Sequence, residues 1–200
     1  MSWPVIQSAS SLISQATTRV RRYILTGAPG AGKTAILREL RARGWAVVDE
    51  AATDVIAREQ ARGVDEPWTD GEFINKIAAL QRHRQQQPVS TGAAAQFYDR
   101  SPWCTLALAR YLRLPVTSTL ADEMARVTDE KIYQRTVFFV RPLGFIVPSA
   151  ARRISYRDAL EFEAVHEAVY QAHGFDLVDV VADEVEQRVA LIEAKLASEL

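Results

Sequence analysis

Short runs of consecutive apolar residues alternate along this chain with longer segments in which apolar residues recur every three or four positions. These runs lie at residues 23–25, 45–48, 93–98, 136–140 and 175–181, of which 93–98 is weakly apolar and 175–181 is interrupted by acids. Such short runs predict buried strands, whereas the periodic segments between them predict helices. Five strands separated by helices indicate an α/β fold, with a parallel sheet covered by helices on both faces.

The helices predicted by this periodicity lie between the strands and after the last one. They are a helix that begins at Lys33 and ends at Gly44, followed by helices at about 53–62, 73–87, 103–112, 118–127, 156–173 and 183–200. In the long helix at 156–173, the spacing makes Leu160, Val165 and Val169 candidate core residues. The closing helix carries Glu184 and Arg188 at a spacing that favours an ion pair on its surface.

The first predicted strand leads into a glycine-rich loop and then into a helix. The spacing Gly27-x-x-x-x-Gly32-Lys33-Thr34 in this strand–loop–helix context is the complete P-loop pattern, and a simple tight turn is the weaker alternative. Backbone N–H groups of such a loop surround phosphates, and the positive end of the helix adds attraction. The predicted phosphate-binding residues are Gly27, Ala28, Pro29, Gly30, Ala31, Gly32, Lys33 and Thr34.

The P-loop predicts a nucleoside triphosphate, ATP, as ligand together with Mg²⁺. Lys33 is predicted to reach the β- and γ-phosphates, and the Thr34 hydroxyl to complete the coordination of the metal ion. The functional prediction depends on this predicted binding of phosphates at the start of the helix.

Two acids, Asp49 and Glu50, follow the second predicted strand. Ligands of open α/β sheets bind at the carboxyl ends of the strands, so an acid there can hold an acceptor hydroxyl or accept its proton. The alternative is a capping role for the helix that follows. We predict that Asp49 is the catalytic acid and that Glu50 is its structural neighbour.

The sequence Asp99-Arg100-Ser101 follows the third predicted strand. Asp99 at this position can hold the water shell of Mg²⁺, and Arg100 can contact the phosphates or the charge that develops on the transferred group. The alternative is a local ion pair, with Ser101 capping the next helix.

The basic pair Arg152-Arg153 follows a segment with Gly144 and Pro148. Loops that close over a triphosphate supply arginines which neutralise charge and exclude water, so Arg152 and Arg153 are predicted lid residues. Arg141 is a second candidate, and the alternative for the pair is ordinary solvation at a helix start.

Composition limits the other possibilities. The 200 residues carry a net charge of −1, which gives no general attraction to nucleic acid or to an anionic membrane. A single cysteine, Cys104, and the absence of a signal peptide or long apolar segment predict a cytoplasmic protein. We expect a loosely attached arm at residues 1–20 and one domain at 21–200.

The chain resembles a small P-loop ATPase/kinase family that includes the ribosylnicotinamide-kinase domain of the bifunctional protein NadR. The resemblance covers about residues 22–196 and rests on the P-loop, on Val48-Asp49-Glu50-Ala51-Ala52, on Phe97-Tyr98-Asp99-Arg100-Ser101 and on the tail at 170–188. It is more distantly similar to the deoxynucleoside kinases. The resemblance implies the sheet order 2-3-1-4-5 and phosphate-binding roles for Arg100 and for a lid arginine.

The sequence thus predicts an ATP- and Mg²⁺-dependent phosphotransferase whose partner is a small hydroxyl-bearing acceptor such as a nucleoside, with no nucleic acid or membrane involved. The alternative is a nucleotide-dependent switch or binding module that acts through a protein partner. The substrate is not specified by these motifs, because the residues that would recognise a nicotinamide riboside are not identifiable.

Overall fold

Five strands pair in parallel in the order β2-β3-β1-β4-β5, which confirms the predicted sheet. The computed structural model describes residues 20–89, 92–144 and 154–199, so the predicted arm at 1–20 lies outside the described residues except for Val20. The strands are β1 (Arg21–Thr26), β2 (Ala46–Val48), β3 (Ala95–Asp99), β4 (Thr136–Val140) and β5 (Asp176–Val180).

The α-helices in the described part of the chain follow the predicted order. They are α1 (Lys33–Ala42), α2 (Ala51–Gln60), α3 (Phe73–Gln85), α4 (Pro102–Tyr111), α5 (Ser118–Asp129), α6 (Tyr156–Ala172) and α7 (Val185–Ala197). A single 3₁₀ turn at Pro67–Thr69 precedes α3. None of the described helices is long and apolar enough to cross a bilayer.

The sheet separates two apolar clusters, because successive side chains of a strand point to opposite faces. Ile24 and Val137 contribute to the cluster formed with α2 to α6. Leu25 and Phe138 contribute to the opposite cluster, where they meet α1 and α7. The first face is therefore covered by five helices, which leaves room for a cleft between them and the sheet edge.

Two side-chain predictions on the last helices are wrong. Leu160 is 41% exposed, and the buried face of α6 is formed instead by residues such as Phe162, His166 and Tyr170. Arg188 does not pair with Glu184: its guanidinium is buried and donates to backbone carbonyl groups beside the P-loop. The i,i+4 spacing is compatible with both arrangements, and the packing of α7 against the sheet decides between them.

Candidate active site

A cleft of about 780 Å³ lies at the carboxyl edge of the sheet. Its walls are formed by the P-loop, the ends of β2 and β3, and the facing sides of α2, α3, α4 and α6. The P-loop occupies one end of the cleft, and apolar side chains line the other. Two ligands can therefore occupy one continuous space.

The conformation of the P-loop requires glycine at its first position. Gly27 has φ 133°, and a Cβ at this residue would lie 2.2 Å from the carbonyl oxygen of Val140. The loop ends at Gly32, which also has a positive φ and directly precedes α1. Thr34 is exposed in the first turn of α1 and lines the cleft, where its hydroxyl is accessible to a ligand.

Lys33 is buried and reaches back over the P-loop. Its Nζ donates hydrogen bonds to the carbonyl oxygens of Gly27 (3.0 Å) and Ala28 (2.8 Å). Burial, followed by repulsion from Arg100, lowers the pKa of Lys33 to about 8. The ammonium group is therefore incompletely compensated in the protein alone, and an anionic ligand would stabilise its charged form.

Asp99 ends β3 and lies in the floor of the cleft. Its Oδ1 is buried and has no hydrogen-bond partner among the described residues. Burial, together with the nearby carboxylate of Glu50, raises the pKa of Asp99 to about 6. A buried carboxylate oxygen without a partner fits a cation or its water shell, so the donor set present here suits Mg²⁺.

Arg100 turns back into the cleft immediately after β3. Its φ of 74° is in the left-handed region, and its backbone N–H donates to the carbonyl oxygen of Leu25 at 3.0 Å. Its Nε forms a short ion pair with Oε1 of Glu50, and Thr53 donates to Oε2 of the same carboxylate at 2.6 Å. The pKa of Arg100 is raised, because the attraction to Glu50 outweighs the cost of burial.

Glu50 remains ionised in this arrangement. Burial would raise the pKa of Glu50, but Arg100 and then Lys33 act in the opposite direction, and the net pKa is lowered. Each carboxylate oxygen has two lone-pair positions, so Glu50 retains the capacity to accept a hydrogen bond from a hydroxyl in the cleft.

His166 supports Arg100 from α6. Its Nε2 lies 3.0 Å from a terminal nitrogen of Arg100, and its Nδ1 lies 2.9 Å from the carbonyl oxygen of Phe162. Burial and the charge of Arg100 lower the pKa of His166 well below its usual value. The ring is therefore neutral, with Nδ1–H donating to the carbonyl and Nε2 accepting from Arg100.

The structure places Asp49, the predicted catalytic acid, outside the cleft. Its side chain is 69% exposed and pairs with Arg41 at 2.8 Å, while Glu50 lines the cleft. The physical reason is the alternation along β2. Val48 packs against the helix cluster that borders the cleft, and Val47 packs against the opposite one. Glu50 therefore shares the face of Val48.

Arg141, the second lid candidate, is engaged elsewhere. It pairs with Glu163, Glu167 and Asp179 and stacks over the ring of Phe139. Arg152 and Arg153 lie outside the described residues. In the parts of the chain that the structure describes, no group of three or more His, Cys, Asp or Glu side chains is arranged to hold a metal ion. A metal at Thr34 and Asp99 would therefore take its remaining ligands from phosphates and water.

Most of the far end of the cleft was not anticipated from the sequence. It is lined by the apolar and aromatic side chains of Ile56, Trp68, Phe73, Ile77, Leu108, Tyr111 and Phe162. Trp68 thus lines the cleft, whereas Trp103 packs in the core against Phe175. Gln81 adds a polar amide, whose Oε1 accepts from Thr105 at 2.9 Å. The signal was present, because Phe73, Ile77 and Gln81 are four residues apart on one helix stripe.

The fold is similar to those of three solved structures of deoxyadenosine kinase from M. mycoides. The structure with products dCMP and a flexible dCDP has a TM-score of 0.55 at 14% identity and covers 90% of this chain and 100% of that chain. The dCTP-bound structure has a TM-score of 0.58 at 16% identity, covering 88% and 99%. The dATP-bound structure has a TM-score of 0.52 at 15% identity, again covering 88% and 99%.

No curated protein sequence matches this chain. A family model described as an AAA domain matches residues 22–188, which include the P-loop, the acids after β2 and β3, and Arg188. Together with the five-stranded P-loop kinase architecture, this match shows that the chain belongs to the AAA domain family of P-loop proteins.

Proposed function

We propose that this protein is an ATP- and Mg²⁺-dependent phosphotransferase that acts on a small hydroxyl-bearing acceptor of nucleoside type. One observation carries the proposal. A single cleft extends from the P-loop residues Lys33 and Thr34 to Glu50 and Arg100. It continues into the apolar far end described above, here called the acceptor chamber, which Gln81 also lines. Phosphoryl transfer requires groups that hold the donor phosphates, an acid that can still accept a hydrogen bond, and an apolar space for the molecule that is phosphorylated.

The donor end suits a magnesium triphosphate. In the proposal the P-loop amides and Lys33 hold the phosphates, and the Thr34 hydroxyl and Asp99 hold Mg²⁺ or its water shell. When bound, the metal ion would neutralise charge on the phosphate oxygens. The partnerless Oδ1 of Asp99 and its raised pKa support this assignment, since a nearby cation would favour the ionised carboxylate.

The transfer step uses Glu50 and Arg100. The acceptor hydroxyl oxygen forms a bond to the γ-phosphorus while the bond from that phosphorus to the β–γ bridging oxygen breaks, so that ADP leaves. Glu50, ionised because of Arg100, orients the hydroxyl and accepts its proton. The free donor positions of Arg100 contact the charge that develops on the transferred group. His166 and Glu50 hold the guanidinium in position for this contact.

The acceptor end suits a heterocyclic base. Trp68, Tyr111 and Phe162 provide flat apolar surfaces, and the amide of Gln81 provides hydrogen bonds at the chamber wall. The structurally similar deoxyadenosine kinases are described with dCMP, dCTP and dATP bound. Their ligands support a nucleoside as acceptor here, while the sugar and the base remain to be identified by experiment.

A nucleoside panel with Mg²⁺ and ATP tests the proposal. We expect one or more ribo- or deoxyribonucleosides to gain 80 Da in mass spectrometry, with one ADP formed for each product molecule. Arg43→Gln, at the C-cap of α1 and outside the lining of the cleft, is the matched control and should retain turnover. If ATP binds but no acceptor is phosphorylated across the panel, the kinase assignment fails. If ATP is then hydrolysed without an acceptor, the nucleotide-dependent switch is favoured.

A further inference from the structure

Arg188 is a buried arginine that joins three segments at the back of the P-loop. It is 2% exposed and lies in the first turns of α7. One terminal nitrogen donates to the carbonyl oxygen of Ala31 at 2.9 Å. The other donates to the carbonyl oxygens of Arg141 (2.9 Å) and Val180 (3.3 Å). The side chain thus ties the P-loop to the ends of β4 and β5.

No carboxylate in the described part of the chain pairs with the positive charge of Arg188. Among the described residues, it forms no hydrogen bond to an acidic side chain, and its Nε has no partner. Burial lowers the pKa of Arg188, and Asp183 attracts it only at longer range. The residues outside the described part contain no Asp or Glu.

The contact with Ala31 fixes the orientation of a cradle amide. In a trans peptide the carbonyl of one residue and the N–H of the next point in opposite directions, and the described residues contain no cis peptide. Gly32 lines the cleft, whereas Arg188 does not. When Arg188 holds the Ala31 carbonyl from behind, the N–H of Gly32 is directed towards the cleft. A Cβ at Gly32 would also lie 2.9 Å from Arg188.

We propose that Arg188 is a positioning residue for the phosphate cradle. It orients the Ala31–Gly32 peptide, and its uncompensated charge makes the cradle more attractive to a polyphosphate, without contact to the ligand. This inference rests on the proposed function, because it requires a triphosphate at the P-loop. At a separation of about 12 Å and an effective dielectric constant of about 20, the charge of Arg188 and one negative charge of the ligand attract each other enough to change the affinity for that ligand about tenfold.

The test compares Arg188→Gln, Arg188→Lys and Arg43→Gln as full-length proteins. Arg43 is the matched control, since this arginine at the C-cap of α1 also joins separate segments, but through the carboxylate of Glu193 in α7 at 2.8 Å. Dissociation constants for ATP, inorganic tripolyphosphate and AMP are measured by calorimetry, well below the unfolding midpoint of each variant.

We expect Arg188→Gln to lower the affinity for ATP and tripolyphosphate about tenfold. The affinity for AMP should fall less than about twofold, because AMP lacks the β- and γ-phosphates. Arg188→Lys keeps the charge but cannot reach all three carbonyls, so it should recover part of the loss. Arg43→Gln should bind all three ligands as the wild type does.

Three results overturn the inference. One is an equal loss of affinity for all three ligands in Arg188→Gln, which indicates a structural role alone. Another is unchanged ATP affinity in that variant. The third is failure of both Arg188 variants to fold, which would also make the residue purely structural. A wild-type protein that binds neither ATP nor tripolyphosphate refutes the proposed function itself, and this result is distinct from the other three.

Discussion

Replacement of Glu50 by glutamine, compared with replacement of Asp49 by asparagine, separates the two adjacent acids after β2. Both changes remove one negative charge and keep the shape of the side chain. Glu50 lies in the cleft beside Arg100 and Thr53, whereas Asp49 pairs with Arg41 on the surface. The two variants therefore make the same chemical change at adjacent residues, one inside the cleft and one on the surface.

The structure gives the expected magnitudes. In Glu50→Gln the amide oxygen can still accept from Nε of Arg100, and the amide nitrogen can donate to Thr53 if that hydroxyl turns to accept. The ion pair becomes a neutral–charged hydrogen bond and Arg100 loses its buried counter-charge, so the free energy of unfolding should fall by about 3 kcal/mol, or about 6–12 °C in melting temperature. Turnover should fall about 100-fold or more, because the amide cannot accept the acceptor proton.

Asp49→Asn should be nearly silent. An ion pair between two exposed side chains contributes about 0–1 kcal/mol, and the side chains of Arg41 and Asp49 are 47% and 69% exposed. We expect turnover within about twofold of the wild type, since removal of a surface charge away from the cleft leaves the reacting groups in place.

The assay is acceptor-dependent formation of ADP, with the phosphorylated product measured by mass spectrometry and ATP affinity by calorimetry. ATP affinity should change little in either variant, so the loss in Glu50→Gln appears in kcat. Full turnover in Glu50→Gln would refute the assignment of the acid. A loss in Asp49→Asn as large as that in Glu50→Gln would refute the separation of the two carboxylates.

Further predictions concern the P-loop and its metal side. Lys33→Ala should reduce phosphoryl transfer at least about 100-fold in the same assay, because it removes the buried cation at the cradle. In denaturant unfolding, Gly27→Ala should lower the free energy of unfolding by more than about 3 kcal/mol, because the new Cβ would overlap the Val140 carbonyl. Gly44→Ala is the control, since Gly44 also has a positive φ but open space around it, and it should lower the free energy of unfolding by about 1 kcal/mol. Asp99→Asn should stabilise the ligand-free protein at pH 7.5 by up to about 3 kcal/mol and abolish Mg²⁺-dependent turnover. The pKa of Asp99 in the folded protein, about 6, lies above the ordinary value of 3.8. The gain in free energy of unfolding should therefore vanish below about pH 4 and grow as the pH rises through 6. An Asp99→Asn variant no more stable than the wild type at pH 7.5 would contradict this prediction.

The fold was largely predictable because hydrophobic pattern and loop chemistry agree. Strand β4 begins and ends where the pattern placed it, at Thr136 and Val140, since every residue in this run is β-branched or aromatic. The strand order was inferred from resemblance rather than from the pattern, because periodicity specifies which residues are buried but not which strands are neighbours.

The sequence predicted an acid at the end of β2, but it did not decide whether Asp49 or Glu50 faces the cleft. Val47 and Val48 are equally apolar, so the sequence alone does not show which of them faces the cleft. Only the packing of α2 to α6 on the face of Val48 makes Glu50 the residue that points inwards. Asp49 and Glu50 are chemically almost equivalent, and the choice between them depends on this tertiary arrangement rather than on residue type.

Arg188 illustrates a different limit. The spacing Glu184–Arg188 is compatible with a surface ion pair, and nothing local in α7 contradicts it. The side chain is buried because α7 packs beside α1, which brings three carbonyl oxygens from distant segments within its reach. Ala31 lies 157 residues from Arg188 along the chain and Arg141 lies 47 residues from it, and the sequence of one helix does not reveal such contacts.

The charged groups around the cleft follow one electrostatic logic. Lys33 and Asp99 have pKa values shifted towards their neutral forms. Arg188 pairs with no anionic side chain among the described residues, and Arg100 adopts a backbone conformation that costs about 1 kcal/mol. Each feature destabilises the protein alone. In the proposed complex, a polyphosphate would supply negative charge to Lys33 and Arg188, and Mg²⁺ would supply positive charge to Asp99. The same groups would then become favourable, so the free energy that they cost the protein alone would be recovered as affinity for the proposed nucleotide and its metal ion.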